Sequence, residues 1–355
     1  MANKYLFSRY ALIGDNLDLR QNVNLEINQN GKIIDLSYEI INEDLELVLD
    51  DSSTLLVPGF INSHVHIGDS FAKELGFNKE LDEIVAPPFG LKHKLLRQIP
   101  EGIKIQGIKN AVLEMISNGI TFFIDFREGG VEGINLLKKA LTNSAINYLI
   151  LGRFMDESEI ESVFDLADGV GLPSYKQINA INKRFVLSAK KEFKKIIACH
   201  CAEKTRDPNL IKKVFNDNLV DIIIHGTKFN KNDLEKIIIN NKSLVLCPRC
   251  NGYFGVGFPP ISEIFRLKIP ISLGTDNIMV NNTDLFEEIR YFYRISRILC
   301  SHDKKLKITS RDLLKMVTIN AAKNFNVDKE HGSISNGKFA DFFLIDLCAP
   351  NLFSY

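Results

Sequence analysis

The chain carries no net charge, since 44 lysines and arginines are matched by 44 aspartates and glutamates over 355 residues. Nucleic-acid and anionic-membrane surfaces draw on an excess of basic residues, so neither partner is expected. Long hydrophobic runs are also missing. Apolar runs such as 222–224 and 237–239 fall far short of the roughly 20 residues a membrane span needs. The first ten residues contain no apolar stretch of the kind a secretory leader uses. Six cysteines in a chain this long do not make a disulfide framework, so the protein is read as cytoplasmic and reduced. No internal repeat or low-complexity tract interrupts it.

What is present is ordinary globular composition, 45% hydrophobic and 25% charged, with ample apolar material for a large core. The first 56 residues read as β-rich. Residues 23–27 alternate in polarity, Asn30-Gly31 is a turn signal, and 32–36 can return as a hairpin partner. A buried strand then runs through Val57-Pro58-Gly59-Phe60-Ile61-Asn62-Ser63 to His64. Further strand-like runs follow at 121–126, 148–153, 168–173, 195–200, 221–225, 244–247 and 269–274. Segments with helical spacing lie between most of them, including 103–118, 133–141 and 285–298. Eight alternating strand–helix units predict an α/β fold, a (β/α)8 TIM-type barrel. The chain ends on short strands around Asn336-Gly337. The expected organisation is a small β-sandwich domain built from both chain ends, 1–56 and 333–355, beside a barrel of residues 57–332.

Five polar residues sit at the carboxyl ends of these strands, the face on which TIM barrels build their active sites. His64 and His66 follow the first strand, His200 closes the fifth, His225 the sixth, and Asp276 follows the eighth. Strand alternation points residues i and i+2 the same way, so His64 and His66 can both face the barrel axis. Each residue alone has a plain structural reading: a surface pair, a core histidine, a helix cap. Together on one face, imidazoles and a carboxylate make the kind of donor set that zinc or iron accepts. Glu203, three residues after His200, is either a proton carrier beside that site or a solvated loop carboxylate.

These residues carry a family likeness. The run from Val57 to His66 resembles the first-strand signature of the amidohydrolase superfamily, and His200-Cys201-Ala202-Glu203, Ile224-His225-Gly226 and Gly274-Thr275-Asp276 resemble its later signatures in order. Residues 332–346 resemble the family's return to its β-sandwich. Within the superfamily the chain is most similar to the cytosine deaminase and triazine hydrolase-like branch, which includes adenosine-type deaminases. That branch pairs the fifth-strand histidine with a glutamate three residues on. Its likeness extends to Cys247-Pro248-Arg249-Cys250-Asn251 and to 282–288. The resemblance implies that His64, His66, His200 and Asp276 bind one divalent metal ion, with Zn2+ preferred and Fe2+ or Mn2+ served by the same donors. It implies that His225 contacts the attacking water and that Glu203 and Asp276 shuttle protons. The fourth strand offers no lysine to bridge two metals, and Lys176 lies beyond its end, which favours a single ion. The implied activity replaces an exocyclic amine of a nitrogen heterocycle, purine nucleoside-like, by oxygen. Cyclic-amide or triazine-chloride hydrolysis is the alternative, and a non-catalytic scaffold is the third reading. The partner is a small molecule, and homo-oligomerisation is a family expectation only.

Other signals are set aside or held as lesser expectations. Cys247 and Cys250 form a lone C-x-x-C without further zinc ligands nearby, and Cys199 and Cys201 read as small core residues. No histidine has a glutamate two residues on, so the separate zinc nucleobase-deaminase signature is absent. The glycines of 252–257 lack dinucleotide-site spacing and read as a flexible loop. His93, His302 and His331 read as surface or loop histidines. The long stretch 68–96 reads as a lid over the substrate or a packing insertion, with Phe89 able to stack on a planar ring. Arg127, Glu128, Arg249 and Asn251 follow strands and are expected to bind polar groups of the substrate.

Overall fold

The computed structural model describes residues 3–38, 47–86 and 88–352. Two compact units result, one of residues 1–61 with 309–355 and one of residues 62–308. Of the expected terminal segments, residues 1–2, 39–46 and 353–355 lie outside the described residues, as does Pro87.

The first unit is organised around one five-stranded sheet. β1 (Lys4–Ile13) and β2 (Asp18–Ile27) form an antiparallel hairpin, and β3 (Ile33–Ser37) returns along β2. The Asn28 carboxamide accepts from the backbone N–H groups of Asn30 and Lys32, and Gly31 adopts φ +75°, so the turn read from Asn30-Gly31 forms for the expected reason. β4 (Leu47–Pro58) lies parallel to β1, and β14 (Phe342–Asp346), from the far end of the chain, pairs antiparallel with β4. The strand order is β14-β4-β1-β2-β3. Leu6, Ala11, Val23, Leu25, Ile33, Leu56 and Ile334 make its buried core. Both chain ends therefore build a single β unit. Its described strands form one sheet, not the two layers a sandwich requires, and the helices Ser310–Met316 and Ile319–Asn324 cluster with it, although the sequence placed them with the barrel.

The second unit carries the expected alternation. Its strands are β5 (Phe60–His66), β6 (Ile120–Arg127), β7 (Asn147–Gly152), β8 (Gly169–Leu172), β9 (Ile196–Cys201), β10 (Ile222–His225), β11 (Ser243–Leu246) and β12 (Ile271–Leu273). Each falls on one of the eight apolar runs. A two-residue strand, β13 (Asp276–Asn277), follows β12 after Gly274-Thr275 and pairs in parallel with β5, Asp276 opposite Val65. The nine-stranded sheet, β12-β11-β10-β9-β8-β7-β6-β5-β13, thus curls back on itself, as a TIM-type barrel does. The strands are covered on both faces, which is why β10 reads as continuous Ile222-Ile223-Ile224-His225, buried throughout.

The intervening helices follow from amphipathic spacing. Glu101–Ser117 buries Ile108, Ala111, Val112 and Met115 on one stripe. Asp207 caps Pro208–Asn216 by accepting from the N–H groups of Asn209 and Leu210. Asn230 and Asp233 form a reciprocal capping box on Lys231–Ile239.

The stretch 68–96 is not an extended loop. It holds a 3-10 turn at Ile67–Ala72 and helices at Leu81–Val85 and Leu91–Gln98. Glu80 and Glu83 cap the first helix reciprocally, and Lys92 of the second is buried.

Candidate active site at the carboxyl ends of the barrel strands

All seven residues of β5 are buried, and alternation brings His64 and His66 to the same side. Their ring centres lie 4.9 Å apart, and His200 of β9 lies 4.9 Å from His64 and 5.6 Å from His66. The ring of His225, at the end of β10, is 5.3 Å from that of His200. Asp276 completes the group. Its Oδ1 is 3.2 Å from His64 Nε2 and 3.6 Å from His66 Nε2, and its Oδ2 is 3.9 Å from His225 Nε2. Glu203 Oε2 lies 3.6 Å from His225 Nε2. All six residues singled out from the sequence are therefore brought together on one face.

The barrel seam holds this geometry. Asn62, two residues before His64, donates from Nδ2 to Thr275 Oγ1 at 2.8 Å and accepts from the Thr275 N–H at 3.0 Å. Both groups are buried, so the pair fixes the first strand to the residue before Asp276. Gly274 admits no side chain, because a Cβ there would lie 2.6 Å from His64 Cβ and backbone nitrogen. Ala202, His225 and Asp276 have φ of +52°, +73° and +61°. Left-handed backbone at non-glycine residues costs on the order of 1–3 kcal/mol each and clusters where function over-determines the chain. Thr227 Oγ1 donates to the Ala202 carbonyl at 2.8 Å and also contacts the Glu203 carbonyl, pinning the strained loop that presents Glu203.

The imidazoles are conditioned as lone-pair donors. Burial holds His64, His66 and His225 below the ordinary histidine value and His200 well below it, so all four are neutral at pH 7. His200 Nδ1 faces the Leu172 carbonyl at 3.0 Å and His66 Nδ1 faces the Phe126 carbonyl at 3.1 Å. A carbonyl only accepts, so both Nδ1 atoms carry the proton and both Nε2 lone pairs face inward. His64 Nδ1 is buried with no hydrogen-bond partner among the described residues. Ligand atoms of His64, His66 and His200 lie within 4.8 Å of one another, as do those of His64, His225 and Asp276. Neutral imidazoles, one orphaned ring nitrogen and a carboxylate are the chemistry a zinc-type ion takes, so the residues fit a metal.

The two carboxyls are driven apart. Burial opposes the charge on Asp276, but the hydrogen bond from His64 and the flanking imidazoles hold it well below the usual range. Burial, then the Asp276 and Asp82 carboxylates, push Glu203 up to about 8. One carboxyl is thus ionised and the other protonated at neutral pH, the pattern of an acid–base pair with divided roles.

The lesser expectations fare unevenly. Arg127 is buried and lines a cavity of about 1010 Å³ with Glu128, His93, Arg153 and Phe154. Arg249 spends most of its donors inside the protein, bonding Glu288 at 2.7 Å, Glu287 at 2.6 Å and the Asn282 carbonyl at 2.7 Å. Asn251 is buried and its amide nitrogen lies 3.1 Å from His225 Nδ1, so it supports that ring. Phe89 is 76% exposed. The reading of 252–257 as a loop is corrected in part, because a short helix, Pro248–Tyr253, extends into it. His331 is buried against Asp341 and is not a surface residue. Sequence reasoning missed Asn62, Asp69 and Lys92. Asn62 alone left a signal, two residues before His64 on the same strand face.

The described geometry has close counterparts. The amidohydrolase family model matches residues 55–354. An uncharacterised protein of Methanocaldococcus jannaschii is 35% identical, covering 84% of this chain and 80% of its own length. A 5-methylthioadenosine/S-adenosylhomocysteine deaminase of Pyrococcus abyssi is 24% identical over 91% of this chain and 81% of its own. An adenosine deaminase structure from Xanthomonas campestris with bound zinc superposes with a TM-score of 0.79 at 16% identity, covering 99% of this chain and 86% of that one, and so shares the fold. The extent of the family match, over a barrel whose strand ends gather its histidines and aspartate, establishes that this chain belongs to the amidohydrolase family.

Proposed function

We propose that the protein is a metal-dependent aminohydrolase that replaces an exocyclic amine of a purine-like heterocycle by oxygen from water, releasing ammonia. The observation that carries this reading is the divided pair of carboxyls, Glu203 and Asp276, flanking His225 inside a ring of neutral imidazoles. The names of the Pyrococcus relative and of the zinc-containing structure, both deaminases of adenosine-type compounds, support the substrate class.

His64, His66, His200 and Asp276 would hold one divalent ion, Zn2+ by preference. Such an ion, when bound, lowers the pKa of its water from 15.7 to about 7. The rest of the chemistry falls to the chain. Glu203, protonated at neutral pH, delivers a proton to the heterocycle and, after taking one from water, to the departing amine. His225 is steadied by Asn251 at Nδ1 and presents Nε2 between Glu203 and Asp276, where it orients the attacking water. Asp276, held ionised, accepts a proton in turn. A cavity of about 200 Å³ lined by His200, Glu203, Pro173 and Tyr175 supports entry of a small molecule beside these groups.

Residues 57–332 are proposed as the hydrolase barrel, with 1–56 and 333–355 as a reduced form of the family's β-sandwich. A cytoplasmic setting is supported by six free cysteines, five of them buried. No helix of the described residues is long and apolar enough to cross a membrane.

The test is ammonia release by the zinc-loaded protein from a panel of adenine, guanine, cytosine and pterin compounds and their nucleosides, with His200→Ala as blank. Release that vanishes in the blank supports the deaminase. Zinc-loaded protein that releases no ammonia but opens a cyclic amide or frees chloride from a triazine overturns it.

A further inference from the structure

Behind His66 lies a buried line of charge that the reaction outlined above does not use. Glu128, just past the end of β6, is 5% exposed, and its Oε1 lies 2.8 Å from His66 Nδ1. The same oxygen lies 2.5 Å from the ammonium of Lys92, which is 2% exposed and also 3.3 Å from Asp69 Oδ2. Arg127 stands on the other side, its Nη2 3.4 Å from Glu128 Oε2 and its Nη1 3.6 Å from Asp125 Oδ2.

Such an arrangement is expensive. Each buried ion costs several kcal/mol of lost hydration, and an apolar replacement of a buried pair is often as stable. Stability therefore gives no reason to assemble five buried charged side chains here. Position gives one. The Phe126 carbonyl already accepts from His66 Nδ1, so the tautomer is set without Glu128. What Glu128 adds is a full negative charge at hydrogen-bond distance from a ring whose other nitrogen faces the proposed metal position. A carboxylate so placed makes the imidazole a stronger donor and holds its orientation. Lys92 in turn keeps Glu128 ionised and fixed. Its ammonium comes from the helix Leu91–Gln98 of the rim segment, so that segment reaches the centre from behind and does not only cover it.

We propose that Glu128, anchored by Lys92, is a positioning residue for metal binding, acting through His66 to strengthen its grip on the ion. This rests on the reading of His66 as a metal ligand. The experiment is Zn2+ affinity of the metal-free protein by chelator competition, compared among wild type, Glu128→Gln and the double variant Glu128→Gln/Lys92→Met, together with the urea midpoint of each without metal. Acceptors hydrogen-bonded to the far nitrogen of a metal-binding histidine are worth about 10- to 100-fold in metal affinity. The double variant removes one charge of each sign and leaves Asp69 to take up a proton, so the metal-free protein should still unfold cooperatively in urea while binding Zn2+ about 10- to 100-fold more weakly. Wild-type affinity in the double variant overturns the proposal and leaves the ligand reading intact. A wild-type protein that takes up no Zn2+ overturns both. Should neither variant fold, the 15N spectrum of histidine-labelled wild-type zinc protein decides. His66 bound through Nε2 with its Nδ1 resonance displaced toward imidazolate character, as a charged acceptor gives, supports the proposal; an Nδ1 resonance of an imidazole bonded to a neutral carbonyl, or metal at Nδ1, overturns it.

Discussion

Glu203 differs from a surface glutamate only through its neighbours, and two expectations follow from them. As the proton carrier it is required for turnover and not for metal retention. Glu203→Gln should keep its metal and lose about 10²- to 10⁴-fold in kcat, the range for general acid–base groups. A fully active variant removes the role. The second expectation concerns stability of the metal-free chain. Glu203 holds its proton up to about pH 8 when folded and releases it near 4.5 when unfolded. Between those values the folded state binds more protons, so this contribution is greatest at low pH and is lost as pH rises toward 8. Glu288, at about 7, and Asp69, at about 6, act in the same sense. The histidines held below their ordinary 6.5 act in the opposite sense, but only below that value. Above pH 7 Glu203 makes the larger contribution, with Glu288 still giving up its proton. The urea midpoint of the metal-free protein should fall from pH 7 to 8, Glu203 accounting for up to about 1.4 kcal/mol per unit in free energy. Most of the fall should be lost in Glu203→Gln, and an unchanged slope there would contradict the raised value.

Among the elements, the barrel strands were legible because parallel strands buried on both faces leave continuous apolar runs, and the runs of β5, β9 and β10 end on or beside the clustered histidines. The rim was not legible. Lys92 lies in a helix whose residues are otherwise half-buried or exposed, and nothing local marks its ammonium as buried between Asp69 and Glu128, which come from other parts of the chain. The partners of Arg249 and Asn251 were hidden for a related reason. Proximity to a strand end shows where a side chain starts, and Glu288 and His225, distant in sequence, decide where its polar atoms go. The seam offers a test of strand packing. Gly274→Ala places a methyl group against His64 backbone and Cβ atoms that cannot swing aside. It should cost about 1–3 kcal/mol in denaturant unfolding, as overpacking does, and lower the metal retained per chain. Wild-type metal content at wild-type stability would show that β12 and β5 yield there.

For the molecule as a whole, the expected count is about one metal ion per chain, measured by elemental analysis after dialysis. β8 ends at Leu172 and is followed by Pro173 and Ser174, and Lys176 is exposed in the turn beyond, so no lysine stands among the donors to bridge a second ion. Two ions per chain would contradict this. The joining of both chain ends into one β unit was legible from their turn chemistry, whereas the parallel pairing of β4 with β1 was not, because strand periodicity carries no partner information.

The seam between β5 and β13 has a consequence for how the protein is made. His64 and Asp276 are 212 positions apart, so a chain emerging from the ribosome exposes its first two imidazoles long before the carboxylate that completes the set is synthesised. A polypeptide stalled anywhere before that point lacks the fourth donor, however well its early strands have paired. On the proposed ligand set, firm retention of metal requires that translation has passed the last barrel strand and that the ring has shut.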